Sequence, residues 1–295
     1  MQMNIPPRGT VRLTRRGRLV LVVAGTALAG TAVAVPLLSI AGGSDQEKPA
    51  TLVIPEGWRA NQVYSAIDKA LEAPTGTTRK SVAKAGLKLP GEAGGNPEGY
   101  LFPATYPYKK GMTPDALLRS MVETANDRFN GAPVAAGAQR NAMNVYQAVT
   151  IASIVQAEAS TRTDMGKVAR VVYNRLQSGM PLQMDSTINY ALNRSTLRTS
   201  TDDTRTDSPY NSYQRMGLPP TPIDNPGQDA MRAVVNPPAG DWLYFVTVKP
   251  GDTRFTADYS EHLRNVAEFN AHSERSGRPE PSGGTGSLPA SQPPR

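Results

Sequence analysis

Ile151-Ala-Ser-Ile-Val-Gln-Ala-Glu158 is an apolar helical stretch that carries one carboxylate on its greasy side. Seven residues along an α-helix return to nearly the same face, so Glu158 lies over Ile151, with Ile154 and Val155 filling the turn between. A carboxyl group against apolar neighbours has a raised pKa. That is the condition for holding a proton near neutral pH and delivering it to a leaving group. The same pattern also suits a helix-boundary glutamate that swings to solvent or pairs with a cation, and the surrounding sequence must decide between the two.

Downstream, only Ser160-Thr-Arg-Thr163 separates this helix from a second one that starts at Thr163-Asp-Met. Met165, Val168, Ala169, Val172 and Leu176 form its apolar stripe and Gly179 stops it. So short a polar joint predicts an αα-hairpin with its corner beside Glu158. Upstream, Asn141 or Asn144 caps the long helix. Thr113 with Pro114 opens another helix, through Leu117, Leu118, Met121 and Val122 to Phe129. Farther on come Leu182-Gln-Met-Asp-Ser-Thr-Ile-Asn-Tyr-Ala-Leu192, a charge-mixed stretch to Asp207 that reads as a mobile loop, and the amide- and phenol-rich Ser208–Ile223. Asn225-Pro226 starts a helix with Ala230, Met231, Val234 and Val235. Trp242–Val248 and Thr253–Thr256 read as a β-hairpin around Lys249-Pro-Gly-Asp252, and Asp258–Phe269 as a last helix containing His262.

The N-terminal part has a different character. Thr51-Leu-Val-Ile54 reads as a strand, Pro55-Glu-Gly57 as a turn, Arg59–Leu71 as an amphipathic helix with Val63, Ile67 and Ala70 on one side, and Thr78–Ala85 as a second short helix. This is either a small β-α module of LysM-like character or a spacer packed on the main domain. Glu98-Gly-Tyr-Leu-Phe-Pro-Ala-Thr-Tyr106 then brings aromatic rings without a helical period. Such rings stack on sugars or cap a hydrophobic core.

Composition excludes several classes. The 295 residues are 39% hydrophobic, with 26 Gly, 26 Pro, no Cys and two His, at 262 and 272. Disulfides, thiolate zinc sites and a cysteine nucleophile are ruled out, and two histidines make a poor basis for a histidine-rich metal centre; no cofactor and no metal are expected. The net charge of +7 is unevenly placed: Arg8, Arg12, Arg15, Arg16 and Arg18 precede any acid, and the remaining chain holds 27 basic against 25 acidic side chains. A nucleic-acid partner is therefore not expected. Those arginines lead into an uncharged run, Leu19–Gly43, which at about 1.5 Å per residue is long enough to cross about 30 Å of hydrocarbon. Cations on its N-terminal side predict a single-pass membrane anchor with the N-terminus cytoplasmic and the rest outside the cell membrane. A cleaved signal peptide with Ala32-Val-Ala34 as its processing site is the competing reading, although apolar residues continue through Pro36–Ile40. The expected organisation is a basic N-terminus (1–18), an anchor (19–41), a linker (42–50), the small module (51–97), a main domain (98–272) and a tail (273–295), disordered where it turns Gly/Pro/Ser-rich from Ser276.

Ile54-Pro-Glu-Gly57, Glu98–Tyr106, Ala152–Glu158, Val168–Gly179 with Tyr173-Asn-Arg-Leu176, Leu182-Gln-Met-Asp-Ser-Thr187, Pro209-Tyr-Asn-Ser-Tyr213, Gly217-Leu-Pro-Pro220, Tyr244-Phe-Val246 and Phe255…Glu261-His262 occur in this order. Together, over residues 51–270, they resemble the endolytic murein transglycosylases, the MltG/YceG-like family. The resemblance implies an α+β chain whose mainly helical, lysozyme-like catalytic domain carries a short β-hairpin. It implies a membrane-anchored lyase that cuts peptidoglycan glycan strands internally between N-acetylmuramic acid and N-acetylglucosamine. By the same resemblance it would work beside glycan polymerases and penicillin-binding proteins and end nascent strands. Glu158 would be its single acid, protonating the glycosidic oxygen and then taking the proton of the muramic C6 hydroxyl to leave a 1,6-anhydro end, in place of the usual pair of carboxylates.

By matching position, Gln183, Tyr210 and Asn211 look like the amide and phenol groups that orient saccharide and glutamate in the family. Glu98 and Tyr100 either line the groove or brace the two modules. Asp185 caps the short helix from Ser186 or, as a close second carboxylate, revives water-using hydrolysis. Two departures stand out. Gln156 occupies a position where many relatives carry Glu, which concentrates the acid role on Glu158, and Thr253 replaces a His that relatives often have before the hairpin Phe. His262 is read as structural. The competing functions are a scaffold that holds glycan without cutting it and a muramidase that uses water.

Overall fold

The long helix is set by its cap. Asn144 accepts the Gln147 N–H at 2.8 Å while the Gln147 side chain accepts the Asn144 N–H at 3.0 Å, a reciprocal capping box that starts α5 (Val145–Glu158). Asn141 instead ends the preceding helix, α4 (Ala132–Arg140). Apart from its first residue and its last three, α5 is buried almost all round, from Tyr146 and Ala148 to Val155. That makes it the central helix of the core, where a single greasy side was expected. Its interior hydroxyls are satisfied locally: Thr150 donates to Tyr146 O at 3.0 Å and Ser153 to Thr150 O at 2.8 Å.

The computed structural model describes residues 50–196 and 199–275. The basic N-terminus, the anchor expected at 19–41 and the tail beyond Arg275 lie outside the described residues. Among those described, no helix is long and apolar enough to cross a membrane.

In chain order the elements are β1 (Ala50–Val53), α1 (Ala60–Ala70), α2 (Thr77–Ser81), β2 (Thr105–Tyr108), α3 (Pro114–Phe129), α4, α5, α6 (Arg162–Gln177), α7 (Asp185–Ala191), α8 (Gln228–Val235), β3 (Tyr244–Lys249), β4 (Asp252–Thr256) and α9 (Tyr259–Arg275). The α+β class expected from the sequence holds. Helix α5 packs against α4, α6, α7 and α8, and α6 also lies on α8. The αα-hairpin of α5 and α6 turns at Ala159–Thr161, where the Thr161 hydroxyl accepts the Asp164 N–H at 3.1 Å. The C-terminal hairpin pairs Tyr244 with Thr256 and Phe245 with Phe255, covered by α9.

β1 is completed by a strand beyond the boundary expected at residue 97. It runs antiparallel to β2 with Ala50 opposite Tyr108 and Val53 opposite Thr105. One side chain ties this region to the rest: the Asn225 amide donates to Trp58 O at 2.8 Å and to Glu98 Oε1 at 3.2 Å while its oxygen accepts the Leu101 N–H at 2.8 Å. Ile54, Val63 and Ile67 share one core with Leu118, Met121, Ile151 and Val168. α8 begins at Gln228, later than the Asn225-Pro226 start read from sequence: Gly227 is still extended at the cap position, and Gln156 Oε1 accepts its N–H at 3.0 Å. The charge-mixed stretch expected as a mobile loop contains an Arg194–Asp203 ion pair and a short 3₁₀ turn at Asp203–Arg205.

Candidate active site

Glu158 is the last residue of α5, and Ala159 turns the backbone into an extended conformation. The carboxyl therefore stands at the end of a buried helix, where exposed carbonyl dipoles disfavour negative charge. Its Oε1 accepts the Ser186 hydroxyl at 2.6 Å and, at 3.3 Å, the Ser186 N–H in the first turn of α7. Burial raises the Glu158 pKa; the Ser186 hydroxyl pulls it down, Asp185 pushes it up, and the nearby Arg175 charge lowers it. Burial is the largest of these effects, so the protonated acid is favoured.

Arg175 is a charge that sequence reasoning passed over. It is 2% exposed, donating through Nε to Leu243 O at 2.7 Å and through Nη1 to Leu182 O at 2.6 Å, with its guanidinium 5.5 Å from the Tyr244 ring centre. Burial lowers its pKa to about 10, so it stays cationic at neutral pH. It ties α6, the segment before α7 and the hairpin together beside Glu158. The Tyr173-Asn-Arg-Leu176 block held the only sequence signal, a cation inside an apolar helical stripe.

The Pro209–Tyr213 block meets the Leu182–Thr187 block, but through Ser212 and Tyr213. Ser212 accepts the Gln183 N–H on its carbonyl at 2.9 Å and the Met184 N–H on Oγ at 2.9 Å, and its Oγ shares a hydrogen bond with Thr187 at 2.8 Å. Tyr213 donates to Asp185 Oδ1 at 2.5 Å. Asp185 therefore does not cap α7: Met184 stands at the cap position, and no side chain closes it. Burial pushes the Asp185 carboxyl up, against the Tyr213 hydroxyl that lowers it.

The other expected site residues are placed as follows. Gln183 has a left-handed φ of 51° and a buried Oε1 with no partner among the described residues, a strained backbone beside the site. Tyr210 is half-buried, sharing a hydrogen bond with Thr221 at 2.9 Å and tilting against Tyr190. Asn211 is wholly buried; its amide donates to Thr204 O and Thr206 O, and its oxygen accepts the Tyr213 N–H. An expected saccharide contact is thus a loop staple with no exposed atom. Tyr100 is likewise wholly buried, stacked on Tyr146 and edge-on to Phe129, so the aromatic block caps the core. Glu98 is buried where it accepts the Ala60 N–H at 2.8 Å and the Tyr190 hydroxyl at 3.2 Å, and burial raises its pKa to about 7. It braces α1 against Asn225 and α7. His262 is buried and stacked on Tyr244, and burial lowers its pKa to about 4; it is neutral at physiological pH. Thr253 shares a cross-strand hydrogen bond with Thr247 at 3.0 Å.

Glu158 opens on a cleft of about 460 Å³ that is also lined by Glu56, Gln156, Arg162, Met165 and Asp229. The cleft brings the Pro55-Glu-Gly57 turn and Gln156 to the acid, whereas Gln183, Tyr210, Asn211, Glu98 and Tyr100 do not line it. Among the described residues no three His, Asp or Glu side chains are grouped to hold a metal ion. Chemically, the arrangement is a proton donor with a hydroxyl partner on one side and an open groove on the other.

Comparison with known proteins agrees with this architecture. The endolytic murein transglycosylase of Bacillus subtilis is 37% identical over 173 residues, covering 58% of this chain and 48% of that protein. The protein of the same name from Streptococcus pneumoniae is 34% identical over 257 residues, covering 77% of this chain and 46% of the relative. The chain thus spans about half the length of the curated relatives it matches. A crystal structure of a yceG-like protein from Listeria monocytogenes superposes with a TM-score of 0.62 at 31% identity, over 73% of this chain and 75% of that one. Residues 32–268 match the YceG-like family, and the chain belongs to that family.

Proposed function

We propose that the protein is an endolytic lytic transglycosylase of peptidoglycan, with Glu158 as its single catalytic acid and base. The observation that carries the reading is the Glu158 carboxyl, its pKa raised by burial, on an open cleft with the Ser186 hydroxyl at 2.6 Å. The names carried by the Bacillus and Streptococcus relatives support the substrate class. Protonated Glu158 gives its proton to the oxygen joining N-acetylmuramic acid to N-acetylglucosamine, and that bond breaks. The carboxylate left behind is held by the Ser186 hydroxyl and the Arg175 charge. It then takes the proton of the muramic C6 hydroxyl, whose oxygen closes on C1 to form the 1,6-anhydro ring. The acid ends as it began, and no water is consumed.

Residues 19–41 would hold this chemistry at the cell membrane, with the N-terminus cytoplasmic and the described residues outside. Cuts made there would terminate glycan close to its polymerases. The experiment is to incubate the purified protein with uncrosslinked glycan and weigh the products. Anhydro ends are expected. Reducing ends one water heavier would make the protein a muramidase, with Asp185 the first residue to test as partner to Glu158, and intact glycan would make it a scaffold.

A further inference from the structure

Across the Arg162–Asp229 ion pair from the Glu158 cleft lies a second cavity, of about 660 Å³. Its walls include Arg162, Lys167, Asp229, Arg232, Pro238 and Trp242. Arg162 and Asp229 line both cavities, so the two adjoin at this ion pair.

The wall is built and preset. Arg170 Nε donates to Pro238 O at 2.8 Å, and the Asn174 amide donates to Trp242 O at 2.9 Å and to Gly240 O at 3.2 Å, fastening this loop to α6. The Trp242 ring occupies the space over Gly240, where a Cβ would stand 2.5 Å from it. The Lys167 ammonium lies 5.6 Å from the Trp242 ring centre and 5.1 Å from that of Phe255, a cation held by aromatic faces. Asp229 accepts from Arg162 at 2.6 Å and from Arg232 at 3.3 Å; with Lys167 the cavity is lined by three cations and one carboxylate. Apolar walls with surplus positive charge select an anion with an apolar body. A bare glycan lacks the charge.

If Glu158 cuts beside muramic acid, as proposed above, the group of that chemistry nearest the broken bond is the stem peptide on the muramic lactyl ether. It carries alanine methyl groups, a glutamate carboxylate and a free terminal carboxylate. We propose that the second cavity is a stem-peptide subsite, in which Lys167, Arg162 and Arg232 pair with the peptide carboxylates while Trp242 and Pro238 pack on its apolar atoms. The enzyme then reads peptide-bearing, uncrosslinked strands.

The test is calorimetric titration of the full chain in detergent with N-acetylmuramoyl-tripeptide, its fully amidated form and N-acetylmuramic acid alone, none of which contains the bond to be cut. The free tripeptide should bind about tenfold more tightly than the amidated form, and the preference should shrink as salt rises. In a Lys167→Gln/Arg232→Gln variant that melts like wild type, the preference should vanish; Trp242→Ala should weaken both peptide forms alike. Equal binding of free and amidated peptide by wild type, or an unchanged preference in the double variant, overturns the subsite. Selective peptide binding by a protein that leaves glycan intact upholds the subsite and overturns the assigned reaction. Glycan cleavage without any peptide selectivity does the reverse.

Discussion

Glu158→Gln removes a proton and a charge but keeps the shape of the site, because Oε1, which accepts both Ser186 groups, is retained. In the proposed reaction the residue acts twice, as donor and then as base. Those steps follow one another, so the slower one sets the rate and the two losses do not multiply. A positioned acid is worth about 10²–10⁴ in rate, and kcat/KM should therefore fall about 10³-fold, or about 4 kcal/mol in barrier. Stability should move the opposite way. The ordinary carboxyl value is 4.5 and burial raises it in the folded state. The native protein thus binds more protons than the unfolded chain, and wild type loses stability as pH rises from 4.5 through the raised value. The variant has no such loss: it should melt above wild type at pH 8 and converge with it at pH 4. Cleavage is followed by product mass and stability by calorimetric melting at both pH values. A variant that keeps a tenth or more of the activity refutes the catalytic role. One that melts below wild type at pH 8 refutes the buried-acid argument.

Ser186→Ala removes a hydrogen bond that lowers the Glu158 pKa; the alkaline limb of kcat/KM should move to higher pH, with a loss of about tenfold or less at the optimum, read from a pH–rate profile. Glu98→Gln should stabilise the fold above pH 7, because raising a carboxyl from 4.5 to about 7 corresponds to about 3 kcal/mol. That gain is absent below pH 4.5, which urea denaturation at pH 4 and pH 8 would check. Gly137→Ala should destabilise by about 1–3 kcal/mol, since its Cβ would stand 2.5 Å from the Val235 Cβ and 2.9 Å from the Val235 carbonyl oxygen. A melting curve unchanged within about 1 °C would contradict that packing.

Gly137 also shows what the sequence hides. α4 is Ala-Pro-Val-Ala-Ala-Gly-Ala-Gln-Arg, chosen for closeness to α8 rather than for an apolar stripe, so hydrophobic periodicity passes over it. The capped, strongly apolar α5, the short joint to α6 and the hairpin were legible because each rests on local signals: a cap, a turn length, a β-branched run. The β1–β2 pairing joins strands about fifty residues apart, and nothing local in either strand specifies its partner. In the Pro209–Tyr213 block, the family resemblance pointed to Tyr210 and Asn211, the phenol and the amide. The fold joins Ser212 and Tyr213 to Met184 and Asp185 beside Glu158, leaves Tyr210 against Tyr190 farther along α7, and closes Asn211 into its own loop. Residue type names a capacity for hydrogen bonding; which of four adjacent side chains meets the site depends on backbone path, and Ser186 and Arg175 escaped notice for the same reason.

These overlooked residues bear on how one acid could serve two steps. Burial at the end of α5 alone would hold Glu158 protonated, able to give a proton but slow to be left without it. The Ser186 hydroxyl and the fixed charge of Arg175 both favour the carboxylate. Arg175 is anchored through the backbone carbonyls of Leu182, seven residues on, and of the distant Leu243 rather than through an acid. A carboxylate partner would neutralise it; carbonyl partners leave its charge uncancelled next to Glu158. Asp185 works against it, raising the Glu158 pKa whenever it is itself ionised, and Tyr213 donates to Asp185 and so favours that ionised form. The proton affinity of Glu158 is thus set by opposing groups on three separate segments. In the proposed reaction that balance is what lets the same carboxyl release a proton to the leaving oxygen and recover one from the C6 hydroxyl without a second catalytic acid.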